Sequence, residues 1–181
     1  MTTKDKIIDA TIYFLLKKGF HGTRINEITV YSKTSKGSFY YYFPKGKEQV
    51  CIESLKAYSI KLSFKYWELF EKSNTLEGGL RNIIEYSKTE IEKSQYNNSS
   101  LLINISQEID SNYKEIQMVC KDLFKLIINT IESFFLKYDI KNWKQSSRVF
   151  VLKLKGAIVL SKACETTIFL TDLSKEYSEF K

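Results

Sequence analysis

Proline and glycine are scarce in this sequence, with one proline and seven glycines among 181 residues. Because β-structures depend on these residues for their many turns, this scarcity disfavours an all-β fold. Hydrophobic residues make up 43% of the chain, which is enough to bury a sizeable core. The sequence therefore predicts an all-α fold of about nine helices with short connections.

Cysteine and histidine are also scarce, and they form no pattern typical of a site. Cys51, Cys120 and Cys164 are far apart and contain no C-x-x-C, which disfavours a disulfide framework or a zinc site. We expect each to be a small core residue. The only histidine, His21, has no His, Cys or Asp cluster around it. No nucleophile or paired-carboxylate motif is present, so we expect no catalytic residue, metal or cofactor.

Long apolar runs are missing. The longest strictly apolar run, "IYFLL" at 12–16, is far too short to cross a bilayer. Charges at Lys4, Asp5 and Lys6 argue against a signal peptide. We expect a soluble, cytoplasmic protein that does not enter a membrane.

Positive charge is concentrated near the N-terminus. Residues 1–50 carry nine lysines and arginines against four acids, a net charge of +5, whereas the other 131 residues contribute +2 of the total of +7. A basic segment on a nearly neutral body suggests that one end binds a polyanion. A solvated, lysine-rich surface explains the charge equally well.

The first 44 residues follow a helical pattern with recognisable boundaries. An apolar stripe from Ile7 to Leu15 predicts a helix that stops at Gly19. Thr23 and Ser35 are candidate N-caps of two short helices, the second ending near Pro44. Two short helices joined by a tight turn form a helix-turn-helix. Longer helices are predicted over 47–73, 76–95, 101–110, 113–138 and 144–171, with a loop at 96–100.

The stretch "IIDATIYFLLKKGFHGTRINEITVYSKTSKGSFYYYFPKGKEQV", residues 7–50, resembles the DNA-binding domain of TetR-family transcriptional regulators. "FPKGKEQ" and "VCKDLF" (119–124) resemble its LmrA/YxaF-like branch. The resemblance implies a helix-turn-helix domain at 1–46 and a helical ligand-binding and dimerisation domain at 47–181. It also implies a dimeric regulator, most often a repressor, that a small-molecule ligand releases from a pseudo-palindromic operator in double-stranded DNA.

By this resemblance, the start of the second helix contacts the DNA backbone and the third helix lies in the major groove. Tyr41 and Tyr42 reach phosphates or thymine methyls, whereas Tyr40 lies mainly inward with Phe39 and Phe43. The alternative, that all three tyrosines belong to the core, stays open for Tyr41 and Tyr42. The full DNA-binding set is Thr23, Arg24, Ser35, Lys36, Gly37, Ser38, Tyr40, Tyr41, Tyr42 and Lys47.

The turn "YSKT" departs from the family, whose members usually have glycine where this chain has Lys33. A left-handed Lys33 costs roughly 1 kcal/mol. Thr29 and Ser32 replace common alanines, so the second and third helices should pack through more polar groups. This turn is the one feature that favours an alternative function, a helical carrier or interaction protein whose head no longer binds DNA.

The predicted last helix carries a narrow stripe of small and apolar residues at alternating steps of three and four, which permits close helix packing. A second stripe, Phe150, Leu154, Ile158 and Phe169, points elsewhere. The resemblance implies that the first stripe pairs with a second subunit in a homodimer; one thick monomeric core is the alternative. The dimer set is Val149, Leu152, Gly156, Val159, Ala163 and Leu170.

A TetR-like body implies a cavity for a small-molecule inducer among its helices. The abundance of aromatic residues suits an apolar or aromatic ligand, including a cationic one. For every residue of the predicted ligand set, an ordinary core position is the alternative. An all-α enzyme is a third possible class of function, but the sequence shows no catalytic group for it. The ligand set is Leu55, Tyr58, Leu62, Tyr66, Cys120, Phe124, Ile127 and Ile158.

Overall fold

A computed structural model describes residues 1–97 and 100–177, and all of its regular structure is helical. The all-α prediction is confirmed, with nine α-helices and one 3-10 turn (Ser111–Tyr113) in the described ranges. Residues 98 and 99 of the predicted 96–100 loop lie outside them. The helices are α1 (Thr3–Gly22), α2 (Ile25–Tyr31), α3 (Lys36–Tyr42), α4 (Lys47–Glu71), α5 (Leu76–Lys93), α6 (Leu101–Glu108), α7 (Lys114–Lys137), α8 (Trp143–Ala163) and α9 (Ile168–Glu176).

The chain divides into two compact units. The first contains Met1–Ile60 and Leu101–Phe124, and the second contains Lys61–Ser100 and Lys125–Lys181. Helices α4 and α7 therefore contribute residues to both units. The first unit carries the predicted helix-turn-helix together with α6.

Helix α1 begins with a capping box and contains a kink near its end. Thr2 Oγ1 accepts from the Asp5 N–H at 3.1 Å, and the Asp5 carboxylate accepts from the Thr2 N–H at 2.8 Å. The predicted stop at Gly19 marks the kink, where φ is 69° and ψ is −172°. One further turn then continues to Gly22 and buries Phe20.

The first three helices and the start of α4 share one apolar core. Its buried residues are Ile7, Ala10, Ile28, Phe39, Phe43 and Val50, as the helical stripes of the sequence predict. Within this unit, Glu108 at the end of α6 accepts a hydrogen bond from the His21 N–H at 3.1 Å. The ring of Phe20 meets Tyr113 edge to face, with centroids 4.9 Å apart. The end of α1 is therefore fixed to the end of α6.

The turn between α2 and α3 has the geometry of a Schellman helix end. Lys33 is in the left-handed conformation, with φ at 53°, so the strain described for it applies here. The Thr34 N–H donates to Thr29 O at 2.9 Å, and the Lys33 N–H donates to Val30 O at 3.2 Å. The hydroxyls of Thr29 and Ser32 are buried and donate to carbonyls of their own helix. Lysine therefore replaces glycine here without changing the hydrogen bonds that close the turn.

The predicted last helix, 144–171, is wrong at its C-terminal end. Helix α8 also stops at Ala163 in a Schellman end, because Glu165 turns left-handed (φ 50°) and the Thr166 N–H donates to Ser161 O. The chain then restarts as α9. Cys164 at this break is exposed, so the prediction of a core cysteine is wrong there, although Cys51 and Cys120 are buried as predicted.

The second unit is held by aromatic stacking and by polar links between its helices. Phe70 and Phe134 stack with their ring centroids 3.9 Å apart. Ser174 donates to Glu85 at 2.7 Å, which joins α9 to α5. Phe150, Leu154 and Ile158 are buried along α8, which confirms these three members of the second stripe, whereas Phe169 is half-buried and belongs to α9.

Candidate nucleic-acid interface

Helix α3 begins at the predicted cap. Ser35 Oγ accepts from the Ser38 N–H at 3.0 Å, which satisfies one of the free donors of the first turn. Ser35, Lys36 and Gly37 are exposed, and Ser38 is half-buried. The first turn of α3 thus presents hydroxyls, an ammonium and bare backbone to solvent.

Gly37 has no internal packing reason to be glycine. An added Cβ would meet Ser35 Oγ alone, at 3.6 Å, which is an ordinary van der Waals contact. Its φ also lies outside the left-handed region. Glycine commonly permits another molecule to approach the backbone closely, and the exposed position of Gly37 leaves room for such an approach.

The aromatic block of α3 divides differently from the prediction. Phe39 and Phe43 are fully buried, as predicted, and Tyr41 is 80% exposed. Tyr40, predicted to lie mainly inward, is 49% exposed, whereas Tyr42 is half-buried and packs against the core. Tyr40 was predicted to lie inward because Phe43, three residues later, was expected on the same side of the helix. Phe43 is not in the helical conformation, at φ −130° and ψ 68°, so this spacing does not relate the two side chains. Tyr42 lies three residues after Phe39 and shares its inward side.

Thr23 and Arg24, at the start of α2, were both predicted to contact the DNA backbone, but only Arg24 is exposed. Thr23 is 2% exposed and its hydroxyl donates to Gly19 O at 2.6 Å, so its side chain is not on the exposed surface. The N-cap is Arg24, which makes no side-chain capping bond. The prediction of Thr23 as N-cap is therefore wrong, and Arg24 is exposed at the N-terminal end of α2.

The side chain of Lys47, at the start of α4, contacts other residues of the first unit. Its Nζ donates to His21 O at 3.3 Å and lies 4.5 Å from the centroid of the Phe20 ring. Burial lowers the pKa of Lys47, and the neighbouring Cys51 and Glu108 act in the opposite direction. Lys47 holds the end of α1 in this structure.

We call the exposed residues at the start of α2 and along α3 the recognition surface: Arg24, Ser35, Lys36, Gly37, Tyr40 and Tyr41. Lys33 and Lys45 are also exposed at the two ends of α3. The nearby acid of α2, Glu27, is paired with Lys18, whose hydrogen bond holds the Glu27 pKa below its usual value. The surface therefore combines positive charge with hydroxyl and phenol donors, the groups that commonly contact phosphates.

The predicted ligand residues are distributed over both units. Leu55, Tyr58, Cys120 and Phe124 belong to the first unit, and the other four belong to the second. A cleft of about 380 Å³ in the second unit contains none of the eight; Leu80, Phe135, Val149 and Tyr177 are among its lining residues. Of the predicted set, Leu55, Tyr66, Cys120, Ile127 and Ile158 are buried, and Tyr58, Leu62 and Phe124 are half-buried.

Most of the predicted dimer stripe lies exposed along α8. Val149, Leu152 and Val159 are 39%, 74% and 38% exposed, and an added Cβ at Gly156 would meet nothing within 4 Å. Ala163 is exposed as well. Leu170 is wrong as a member of this stripe, because it belongs to α9 and is fully buried.

Other kinds of site find no support in the part of the chain that the structure describes. There, no group of three or more His, Cys, Asp or Glu residues is arranged to hold a metal ion. No helix of those ranges is long and apolar enough to cross a membrane.

Sequence comparisons identify relatives of this chain. Residues 7–53 match the family model described as bacterial regulatory proteins, tetR family. The biofilm operon icaADBC HTH-type negative transcriptional regulator IcaR of Staphylococcus aureus (strain Newman) is 30% identical over 156 residues, covering 74% of this chain and 83% of IcaR. The HTH-type regulator LmrA of Bacillus subtilis is 22% identical over 174 residues, covering 95% and 93% of the two chains.

Solved structures share the fold. The regulatory protein TetR from Rhodobacter sphaeroides aligns with a TM-score of 0.85 over 96% of this chain and 95% of that one, at 17% identity. The regulator FadR from Bacillus subtilis, solved in complex with stearoyl-CoA, aligns with a TM-score of 0.71 over 96% and 94%, at 19% identity. Both alignments extend over nearly the whole of each chain.

Proposed function

This chain belongs to the TetR family of bacterial transcriptional regulators, and we propose that it is a dimeric repressor which a small-molecule ligand releases from a pseudo-palindromic operator. Its relatives are transcription regulators and not enzymes. The repressor role is proposed because IcaR is described as a negative regulator.

The observation that carries the proposal is the division of α3 into two sides. Phe39 and Phe43 anchor the helix in the core of the first three helices, while Lys36, Gly37 and Tyr41 remain exposed on it. A short helix that is fixed from behind and polar in front is suited to a major groove about 12 Å wide. Lys36 and Gly37 lie nearest the base edges in this proposal, while Arg24 and Tyr41 contact the backbone.

A dimer is proposed because the operator of a two-fold regulator has two half-sites about 34–36 Å apart. The exposed stripe of α8 supports this assignment. Leu152 is 74% exposed although it is strongly apolar, and the bare position at Gly156 lets another helix approach closely. The same stripe of a second copy forms the other half of the interface.

Release by a ligand is proposed to act through α4. This helix begins with Lys47, which holds the end of α1, and carries Tyr66 about five turns later. A ligand that binds beside Tyr66 and favours a different position of α4 changes the population of DNA-competent dimers. The stearoyl-CoA complex of FadR supports the idea that this fold accommodates a ligand.

The test is a fluorescence-anisotropy titration of the full chain on DNA from upstream of its own gene, at two salt concentrations. We expect specific binding that weakens with salt, and Lys36→Ala should lower the salt slope by about one. Lys61→Ala, an exposed lysine of α4, is the matched control and should leave binding unchanged. Absence of sequence-specific binding would contradict the proposal and favour a carrier function.

A further inference from the structure

The second unit contains a cleft of about 380 Å³ that the proposed function does not use. Its lining residues come from α5, α7, α8 and α9 and from residues next to these helices. Tyr66, beside which the proposed release ligand binds, is not among the lining residues that the structure describes. The volume lies within the range of roughly 300–1,000 Å³ in which proteins hold small molecules, so the cleft is large enough for a ligand of its own.

Apolar side chains form much of the wall of this cleft. Leu76 and Leu80 of α5 and Phe135 of α7 line it and are buried, so the packing of the second unit holds them in place. Val149 of α8 and Ile140, shortly before α8, add further apolar surface. The side chains of these five residues offer a ligand no hydrogen bond, which means that the body of a fitting molecule is apolar.

The charged residues of the lining have a negative net charge. Lys153 and Glu176 pair with each other, so their charges largely cancel. Glu77, half-buried in the first turn of α5, also lines the cleft. Within the described residues, no lysine or arginine nitrogen lies within 4.0 Å of the Glu77 carboxylate. The lining therefore holds two carboxylates and one ammonium, a net charge of −1, and Glu77 is the member without an ion-pair partner.

The uncharged polar groups of the lining are able to accept hydrogen bonds. Tyr177 lines the cleft, and its ring meets Phe150 edge to face with the centroids 5.3 Å apart. Burial raises the pKa of Tyr177 to about 12, and the charge of Glu176 acts in the same direction, so the phenol stays neutral at physiological pH. Gln145 and Ser146, near the start of α8, add an amide and a hydroxyl. Phenol, amide and hydroxyl oxygens all accept from the N–H groups of an ammonium.

We propose that this cleft binds an apolar organic amine in its protonated form. The Glu77 carboxylate supplies the counter-charge, and Leu80 and Phe135 contact the apolar body of the ligand. An organic anion fits poorly, because the one ammonium that the described lining contains is already paired with Glu176. The site is additional to that of the release ligand in the proposed function, and it does not depend on whether the chain binds DNA.

The test is isothermal titration calorimetry on the full wild-type chain without DNA, using amines, alcohols and acids of matched skeleton. The aromatic probes are 1-naphthylmethylamine, 1-naphthylmethanol and 1-naphthoate, and the alkyl probes are octylamine, 1-octanol and octanoate. In at least one series we expect the amine to bind about tenfold or more tightly than both its alcohol and its acid. The series that shows this preference distinguishes an aromatic from an alkyl body. The proposal is overturned if neither amine shows it.

Substitution of Glu77 tests its role as the counter-charge. Glu77→Gln keeps the shape of the side chain and should weaken binding of the amine about tenfold while leaving binding of the alcohol unchanged. In the wild type, the preference for the amine should fall as salt is raised from about 0.05 to 0.5 M, because Glu77 is only half-buried. Glu115→Gln, at an exposed glutamate in the first turn of α7, is the matched control and should bind like the wild type. An unchanged affinity of Glu77→Gln for the amine overturns the proposal.

A second pair of variants locates the binding in the cleft. Ser146→Trp adds a large ring to the lining and should abolish binding of the amine, whereas Lys144→Trp, at an exposed position of α8 outside the lining, should retain it. Circular dichroism and thermal unfolding check that both variants fold. Binding that survives in a folded Ser146→Trp chain lies elsewhere, such as beside Tyr66, and overturns the proposal. If Ser146→Trp does not fold, the comparison of Glu77→Gln with Glu115→Gln decides. Failure of the chain to bind DNA contradicts the proposed function alone, because the calorimetry uses no DNA.

Discussion

An ideal Cβ added at Gly19 would lie 1.7 Å from Oε1 of Glu108, so the carboxylate at the end of α6 fills the space beside the kink of α1. The same carboxylate accepts from the His21 N–H through Oε2. The kink and the carboxylate therefore depend on each other. Because α1 leads directly into α2, the contact of Glu108 with the end of α1 fixes where the helix-turn-helix begins.

Gly19→Ala should destabilise the fold by about 1–3 kcal/mol, because φ of 69° with ψ of −172° is a conformation almost restricted to glycine. Urea unfolding followed by circular dichroism measures the loss. The double variant Gly19→Ala with Glu108→Ala is the control, since it removes the carboxylate that the new methyl would meet. Backbone strain predicts that the double variant remains destabilised; recovery to the level of Glu108→Ala would assign the whole loss to the clash.

Gly37→Ala should keep the fold and weaken DNA binding. The added methyl meets Ser35 Oγ at 3.6 Å and costs nothing inside the chain, and alanine favours the helix by up to about 1 kcal/mol. On the DNA side it occupies space that we assign to the operator, so the Kd should rise about tenfold, which is ~1.4 kcal/mol. Anisotropy measures affinity and urea unfolding of the same variant checks stability. An unchanged Kd would remove Gly37 from the interface.

Tyr41 and Tyr42 should respond differently to truncation. Tyr41→Ala removes an exposed ring and should weaken DNA binding without loss of stability. Tyr42→Ala removes a half-buried ring that packs on the core and should lower the free energy of unfolding by about 1–3 kcal/mol. Thermal unfolding and anisotropy on both variants form the comparison. Equal stability losses in the two variants would contradict this division of the aromatic block.

Gly156→Arg should convert the proposed dimer to a monomer. The position is exposed on α8 with nothing within 4 Å, so a long charged side chain fits the isolated chain but not a closely packed helix pair. Size-exclusion chromatography with light scattering gives the mass. Asn129→Arg, on the exposed side of α7, is the matched control. A dimer mass for Gly156→Arg would move the interface elsewhere.

The three cysteines should differ in reactivity towards a thiol reagent at about pH 8. Burial raises the pKa of Cys51 to about 12 and also raises that of Cys120, so both remain protonated thiols well above neutral pH. Cys164 is exposed at the end of α8. One thiol per chain should react quickly and three after unfolding, and Cys164→Ser should abolish the fast phase. A fast phase that survives in Cys164→Ser would mean that a buried thiol opens to solvent.

Local signals account for what the sequence predicted well. Ser35 caps α3 because its hydroxyl reaches the donor three residues later, and Gly19 marks the kink because other residues do not tolerate its backbone conformation. The end of α8 was missed because Glu165 provides it without glycine or proline. Backbone conformation at such a position is decided by the neighbouring helices, which a local pattern does not contain.

The sequence by itself determined the helical class, the family and the apolar sides of α1 to α3, because periodicity and capping act within a few residues. Only the tertiary structure decided which tyrosines of "FYYYF" turn inward, since Phe43 leaves the helix and the residue count no longer applies. It also decided that Lys155 is buried and Lys153 is not. Lysine has the same apolar stem on either side of a helix, and packing by other helices determines how much of that stem is covered.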